Sequence, residues 1–302
     1  MTHSLTKSAA APQTHAKTHQ GEAWLYAGLA VLAFSGSLPA TRLAVMGLPP
    51  LFVTGARGAC AAILGGLCLL ALRAPKPSRS DLGPLLVVAG GAVIGFPLLT
   101  ALALQSVPAS HSIVFTGLLP LATAGWATCL GEKRPSPPFW LFSGLGAISI
   151  LGFALHEGVS ASPADALLVV AVLICGLGYA VGARLGRRLG GWQVICWALL
   201  LALPVMAPLM LTNLPPHPAL VPVGAWLGLG YVTLFSMLIG FFFWYRGLAL
   251  GDIASVGQLQ LLQPFLGLVL AACVLHETVS AAALIVMTLV MACVLGARRF
   301  SA

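Results

Sequence analysis

Charge is what this chain has least of. Its 302 residues hold seven Asp and Glu and fifteen Lys and Arg, so 7% are charged, against about 25% in an ordinary soluble domain. A water-facing surface cannot be covered with so few charges. The seven cysteines, Cys60, Cys68, Cys129, Cys175, Cys196, Cys273 and Cys293, include no CxxC pair and fall inside apolar runs. They read as small buried hydrophobes rather than as metal or redox ligands. No Walker A sequence is present, and no Ser-His-Asp arrangement emerges. His156-Glu157 and His276-Glu277 begin like a zinc-protease motif, but Ser160 and Ser280 stand where the second histidine belongs. No cofactor and no metal are implied. The basic residues form no large patch, which argues against a nucleic-acid partner.

Apolar residues make up 59% of the chain, and its mean hydropathy is +0.99. The expected solvent is a lipid bilayer. Splitting the chain at charges, proline pairs and turn clusters gives ten candidate helices: 22–46, 50–72, 82–106, 109–131, 137–156, 164–186, 192–212, 219–247, 252–275 and 279–298. Each is close to the roughly 20 residues that cross a hydrocarbon core, and the runs are twice as long as barrel strands. The expected class is an all-α integral membrane protein.

The basic residues set an orientation. With the N-terminus in the cytoplasm, 13 of the 15 fall on cytoplasmic segments, and the loops at 156–165 and 211–222 have none. The positive-inside rule then places both termini in the cytoplasm. Residues 1–21 lack the apolar core of a secretory signal and read as a disordered cytoplasmic tail.

The chain also repeats itself. Residues 101–134 and 247–278 share a Leu-Ala-Leu run, an Ala-Ser pair (Ala109-Ser110, Ala254-Ser255), a mid-span proline (Pro120, Pro264) and a closing glutamate (Glu132, Glu277). Two halves of five spans are expected, at 22–157 and 164–300. Five is odd, so the second half is inverted. Inverted repeats are characteristic of secondary transporters that bind substrate where the halves meet.

Several polar or aromatic residues inside the spans are candidates for a pathway. Gln258, Gln260 and Gln263 precede Pro264 in span 9; His111 and Phe115 lie four apart in span 4; Phe34 lies in span 1 and Tyr179 in span 6. Amides offer hydrogen bonds to an ammonium and to a carboxylate without a full buried charge. The same groups also fit a role as interhelical hydrogen bonds. Arg42 and Arg57 are the basic residues outside the cytoplasmic set; an intramembrane arginine marks a functional site or a structural bond. Pro120 and Pro264 are candidate hinges or static kinks. Trp244 and Tyr245 read as an interfacial aromatic belt. Gly178, Gly182, Gly186 and Gly190 form a small-residue face suited to close packing.

Ten spans, a five-plus-five duplication, Pro120 with Gly131-Glu132, Pro264 with His276-Glu277, and Arg57 in the second span resemble the drug/metabolite transporter superfamily, in its EamA-type group. The sequence is also similar to the YddG-type branch of amino-acid exporters. The resemblance implies a non-enzymatic exporter of small organic solutes in a bacterial inner membrane, with aromatic or other neutral amino acids as substrates. Span 7 has no arginine to match Arg57. The alternative is an integral membrane enzyme acting on a lipid or lipid-linked substrate, with the His-Glu pairs and Asp252 as its chemistry. Oligomeric state is not legible.

Overall fold

A computed structural model describes residues 13–132, 136–156, 163–251 and 253–299. Among them there are helices and no strands. Without water, each backbone amide in a span must be satisfied within its own helix, which long apolar runs achieve. Seven stretches are long and apolar enough to cross a membrane: Gly21–Val45, Pro50–Ala71, Arg79–Ala103, Ala109–Cys129, Pro163–Leu189, Gly191–Thr212 and Val223–Leu250. Helix Pro137–His156 is span 5, the stretch 253–275 is span 9, and Ala281–Arg299 is span 10. The result is ten spans in two inverted five-helix repeats. The first helix begins at Gln13, so part of the segment expected as a tail is helical.

Half of the spans are interrupted, each by an identifiable device. Span 1 breaks at Gly36, between helices Gln13–Ser35 and Ser37–Val45. A side chain at Gly36 would have to displace the Tyr231 ring, because a Cβ would stand 2.5 Å from the Tyr231 hydroxyl. That hydroxyl donates to the Ala33 carbonyl at 3.0 Å. Span 4 breaks between Ala109–Thr116 and Leu119–Cys129, and span 9 passes through a 3-10 turn at Gln258–Leu261. Pro120 and Pro264 both occupy the first turn after these breaks. Proline is tolerated there because its missing N–H would have no intrahelical acceptor. They therefore start helices rather than kink continuous ones.

Spans 3 and 8 each contain a π-helical segment, at Ala89–Gly95 and Val232–Ile239. The two lie at matching places in the two repeats. A π turn inserts one residue and rotates the succeeding turns of the helix, a distortion common at functional sites.

Trp244 and Tyr245 do not form an interfacial belt. Both are 0% exposed, covered by span 1 through Phe34 and by span 6 through Tyr179 and Gly182. Gly182 makes this possible, since a Cβ there would lie 2.3 Å from the Tyr245 ring.

Candidate functional site

The interrupted spans converge on one buried cavity. From the first repeat, Phe34, Ser37 and Leu38 of span 1, Arg57 of span 2, Ala92, Phe96 and Pro97 of span 3, and Leu119 of span 4 line it. From the second come Cys175 and Tyr179 of span 6, Ser236 and Phe241 of span 8, and Gln263 of span 9. Ser236 sits inside the π segment of span 8, and Ala92 inside that of span 3.

Arg57 is 4% exposed and donates from Nη2 to the Ser236 hydroxyl at 3.1 Å. Ser236 in turn shares a short hydrogen bond with Ser37. The Nε of Arg57 has no partner. Neither do Nε2 of Gln260 and Oε1 of Gln263, although both amides are buried. The Tyr179 hydroxyl lies near the Cys175 thiol and the Gln260 amide. Buried polar atoms are nearly always hydrogen-bonded in folded proteins, so three open ones around one cavity are unusual. Rings surround them: Phe241 meets Phe34 at 5.1 Å and Tyr179 at 5.9 Å between centroids.

The cavity is small. It holds about 20 Å³, enough for one water and far short of an organic solute. Larger clefts lie at the perimeter, one lined by Leu118, Trp126 and Trp140, another by Leu43, Leu227 and Val274. Their walls are almost wholly apolar, so acyl chains suit them and polar cargo does not.

Ties between the repeats close both ends. At the end rich in basic residues, Asp81 pairs with Arg188, and Glu132 lies 3.2 Å from Arg187 and 3.8 Å from Arg184. At the far end, the two oxygens of Glu277 accept from the backbone N–H groups of Ala109 and Ser110, at 3.0 and 2.8 Å. Beside that cap, His111 Nε2 meets Asp165 Oδ1 at 2.7 Å. Each tie joins a residue of one repeat to a residue of the other.

The candidates from sequence thus fall into two groups. Phe34, Tyr179 and Gln263 line the cavity, and Gln260 borders it through Tyr179. His111 and Phe115 meet at the far end, their ring centroids 5.5 Å apart and their planes tilted by 46°. Arg42 donates to the carbonyl of Leu104, and at 3.5 Å to that of Gln105. The side chain of Gln258 lies outside the described residues, as do Asp252 and Glu157. Ser37 and Ser236 were not among the candidates. Counting 144 positions from Leu119 gives Gln263, from Ala92 gives Ser236, and from Pro97 gives Phe241, the same step that separates Pro120 from Pro264. Among the described residues, no group of three His, Cys, Asp or Glu forms a metal site.

Ten spans in inverted halves, closed at both ends over a polar cavity, define a secondary-transporter fold. The model of the EamA-like transporter family matches residues 22–155 and again 162–298, and the chain belongs to that family. It is 56% identical over 286 residues to a Bacillus subtilis (strain 168) protein described as an uncharacterized transporter, YdeK, covering 94% of this chain and 99% of that one. A solved crystal structure, 20% identical, shares the fold over 93% of this chain and 98% of the other with a TM-score of 0.67. The protein is a membrane transporter, not an enzyme.

Proposed function

We propose that this transporter exports small organic metabolites across the cytoplasmic membrane by alternating access, with aromatic or other neutral amino acids as its cargo. The observation that carries the reading is the cavity: an arginine, open amide atoms and four aromatic rings meet where the two repeats join. A zwitterion with an apolar side chain matches that set of groups. The basic end is the cytoplasmic one by the positive-inside rule, with both termini on that side. The halves at 22–157 and 164–300 rock as units, Pro120 and Pro264 marking their hinges. Opening at one end requires the ties there to break while those at the other hold. In the enzyme alternative Glu277 would need to be free for chemistry, whereas it caps span 4.

Counterflow in proteoliposomes tests this. Vesicles preloaded with unlabelled L-phenylalanine are expected to accumulate labelled L-phenylalanine transiently, and protein-free vesicles are not. If no amino acid in a panel of twenty produces counterflow, the amino-acid reading falls.

A further inference from the structure

We infer that Arg57 is the carboxylate anchor of the cavity, so that cargo must carry a carboxylate, and that Gln263 selects carboxylates bearing a neighbouring amino group. The inference rests on the transport reading above and adds the chemistry by which cargo is recognised.

Three observations support the anchor. Arg57 is buried yet has no carboxylate partner among the described residues, whose acid–base pairs all involve other side chains. A lone intramembrane guanidinium costs about 2.5–3.5 kcal/mol on insertion scales, and such residues mark substrate pathways. Its donors are also only partly used: Nη2 reaches a serine hydroxyl, a weak neutral acceptor, and Nε reaches nothing. A carboxylate accepting from the guanidinium would fill that gap with charge-assisted bonds, and of the paired Ser37 and Ser236 hydroxyls, the one that accepts from the other keeps its own O–H to donate.

The third observation separates function from architecture. At equivalent places the first repeat presents Ala92 and Leu119, and the second presents Ser236 and Gln263. The fold therefore packs with apolar residues at these positions. Packing at these positions does not call for a polar side chain, and both polar residues line the cavity together with Arg57. Gln263 Oε1 is an acceptor without a donor. An ammonium beside the carboxylate supplies one.

Competition against labelled L-phenylalanine counterflow reads this out. In the unmodified protein, L-phenylalaninamide and 3-phenylpropionate are each expected to compete about tenfold less well than L-phenylalanine, since each leaves a buried group unpaired. In Arg57→Gln the gap between acid and amide should shrink to about twofold or less. In Gln263→Leu, which copies Leu119 of the other repeat, the gap between phenylalanine and 3-phenylpropionate should close while the acid–amide gap stays. Equal competition by acid and amide in the unmodified protein overturns the anchor, and so does an acid–amide gap that survives in Arg57→Gln. Should Arg57→Gln not fold, Ser236→Ala, which copies Ala92, is expected to narrow the acid–amide gap, and an unchanged gap overturns the anchor. If a carboxylate without an amino group is carried and amino acids are not, the amino-acid reading and the Gln263 role fall, and the anchor is judged on that acid and its amide. If only uncharged or cationic solutes are carried, the anchor falls.

Discussion

His111 of the first repeat and Asp165 of the second hold each other at 2.7 Å, both about nine-tenths buried or more, at the end away from the basic residues. In the same turn of span 4, just before His111, the Glu277 carboxylate caps the N–H groups of Ala109 and Ser110. The far end is therefore fastened to a single short helix, Ala109–Thr116, from two sides. The basic end uses two exposed or half-exposed arginine pairs instead, together with Asp81 and Arg188. Surface pairs contribute about 0–1 kcal/mol, whereas buried, desolvated ones are far more costly to break. The far end is thus the more tightly shut of the two.

That asymmetry predicts what loosening the far end does. Asp165→Asn keeps the shape but removes the charge opposite His111. Cys175 lines the cavity, so it serves as the reporter in a background with the other six cysteines replaced by serine. Labelling of Cys175 by an impermeant maleimide from the far side is expected to rise about fivefold or more, the effect of roughly 1 kcal/mol on a two-state balance. Unchanged labelling would mean that the pair plays no part in closure.

Glu277→Ala removes an acceptor for two backbone donors at the start of span 4. Loss of such a cap costs about 0.5–2 kcal/mol, and the helix dipole adds to it when a carboxylate is lost. We expect a lower Tm in detergent and increased far-side labelling of Cys175. Glu277→Gln keeps one acceptor and should fall between the two. A Tm equal to that of the unmodified protein would show that solvent replaces the cap at no cost.

Arg42 and Arg57 should behave differently although both are intramembrane arginines. Arg42 is spent on the carbonyls of Leu104 and Gln105, at the end of span 3. Arg42→Ala is expected to lower thermal stability by about 1–3 kcal/mol through the orphaned carbonyls, and to leave the acid–amide preference of transport intact. A loss of that preference would move Arg42 into the recognition site.

The architecture was legible because its signals are periodic or repeated. Ten apolar runs, the Pro120–Pro264 spacing and the charge asymmetry are features of the whole chain. The site was legible only in part. Gln263 stood out as an amide in an apolar run, but Ser236 is one hydroxyl among many, and its importance comes from the π turn that aims it at Arg57. A π turn depends on how a neighbouring span receives the extra residue, which local sequence does not record. Trp244 and Tyr245 misled for a related reason: aromatics near a span end look alike whether lipid or another helix covers them. The information lay in Gly182, whose missing side chain is the space Tyr245 fills.

Gly182 gives a sharp test of that packing. A Cβ there would lie 2.3 Å from Cε1 of Tyr245 and 2.6 Å from its hydroxyl. The ring cannot retreat, since Tyr245 is 0% exposed, lies against Phe241 at 5.4 Å between centroids, and donates to the Gly178 carbonyl at 3.3 Å. Gly182→Ala must therefore push spans 6 and 8 apart, and overpacking of this kind costs about 1–3 kcal/mol. Because Phe241 and Tyr179 also line the cavity, the displacement should reach the site: a lower Tm accompanied by weaker L-phenylalanine counterflow. Tyr245→Leu removes Cε1 and Cζ as well as the hydroxyl from the contact, so adding Gly182→Ala to Tyr245→Leu should cost less stability than Gly182→Ala costs in the unmodified protein. If Gly182→Ala alone is as stable as the unmodified protein, the two spans are not in the close contact described.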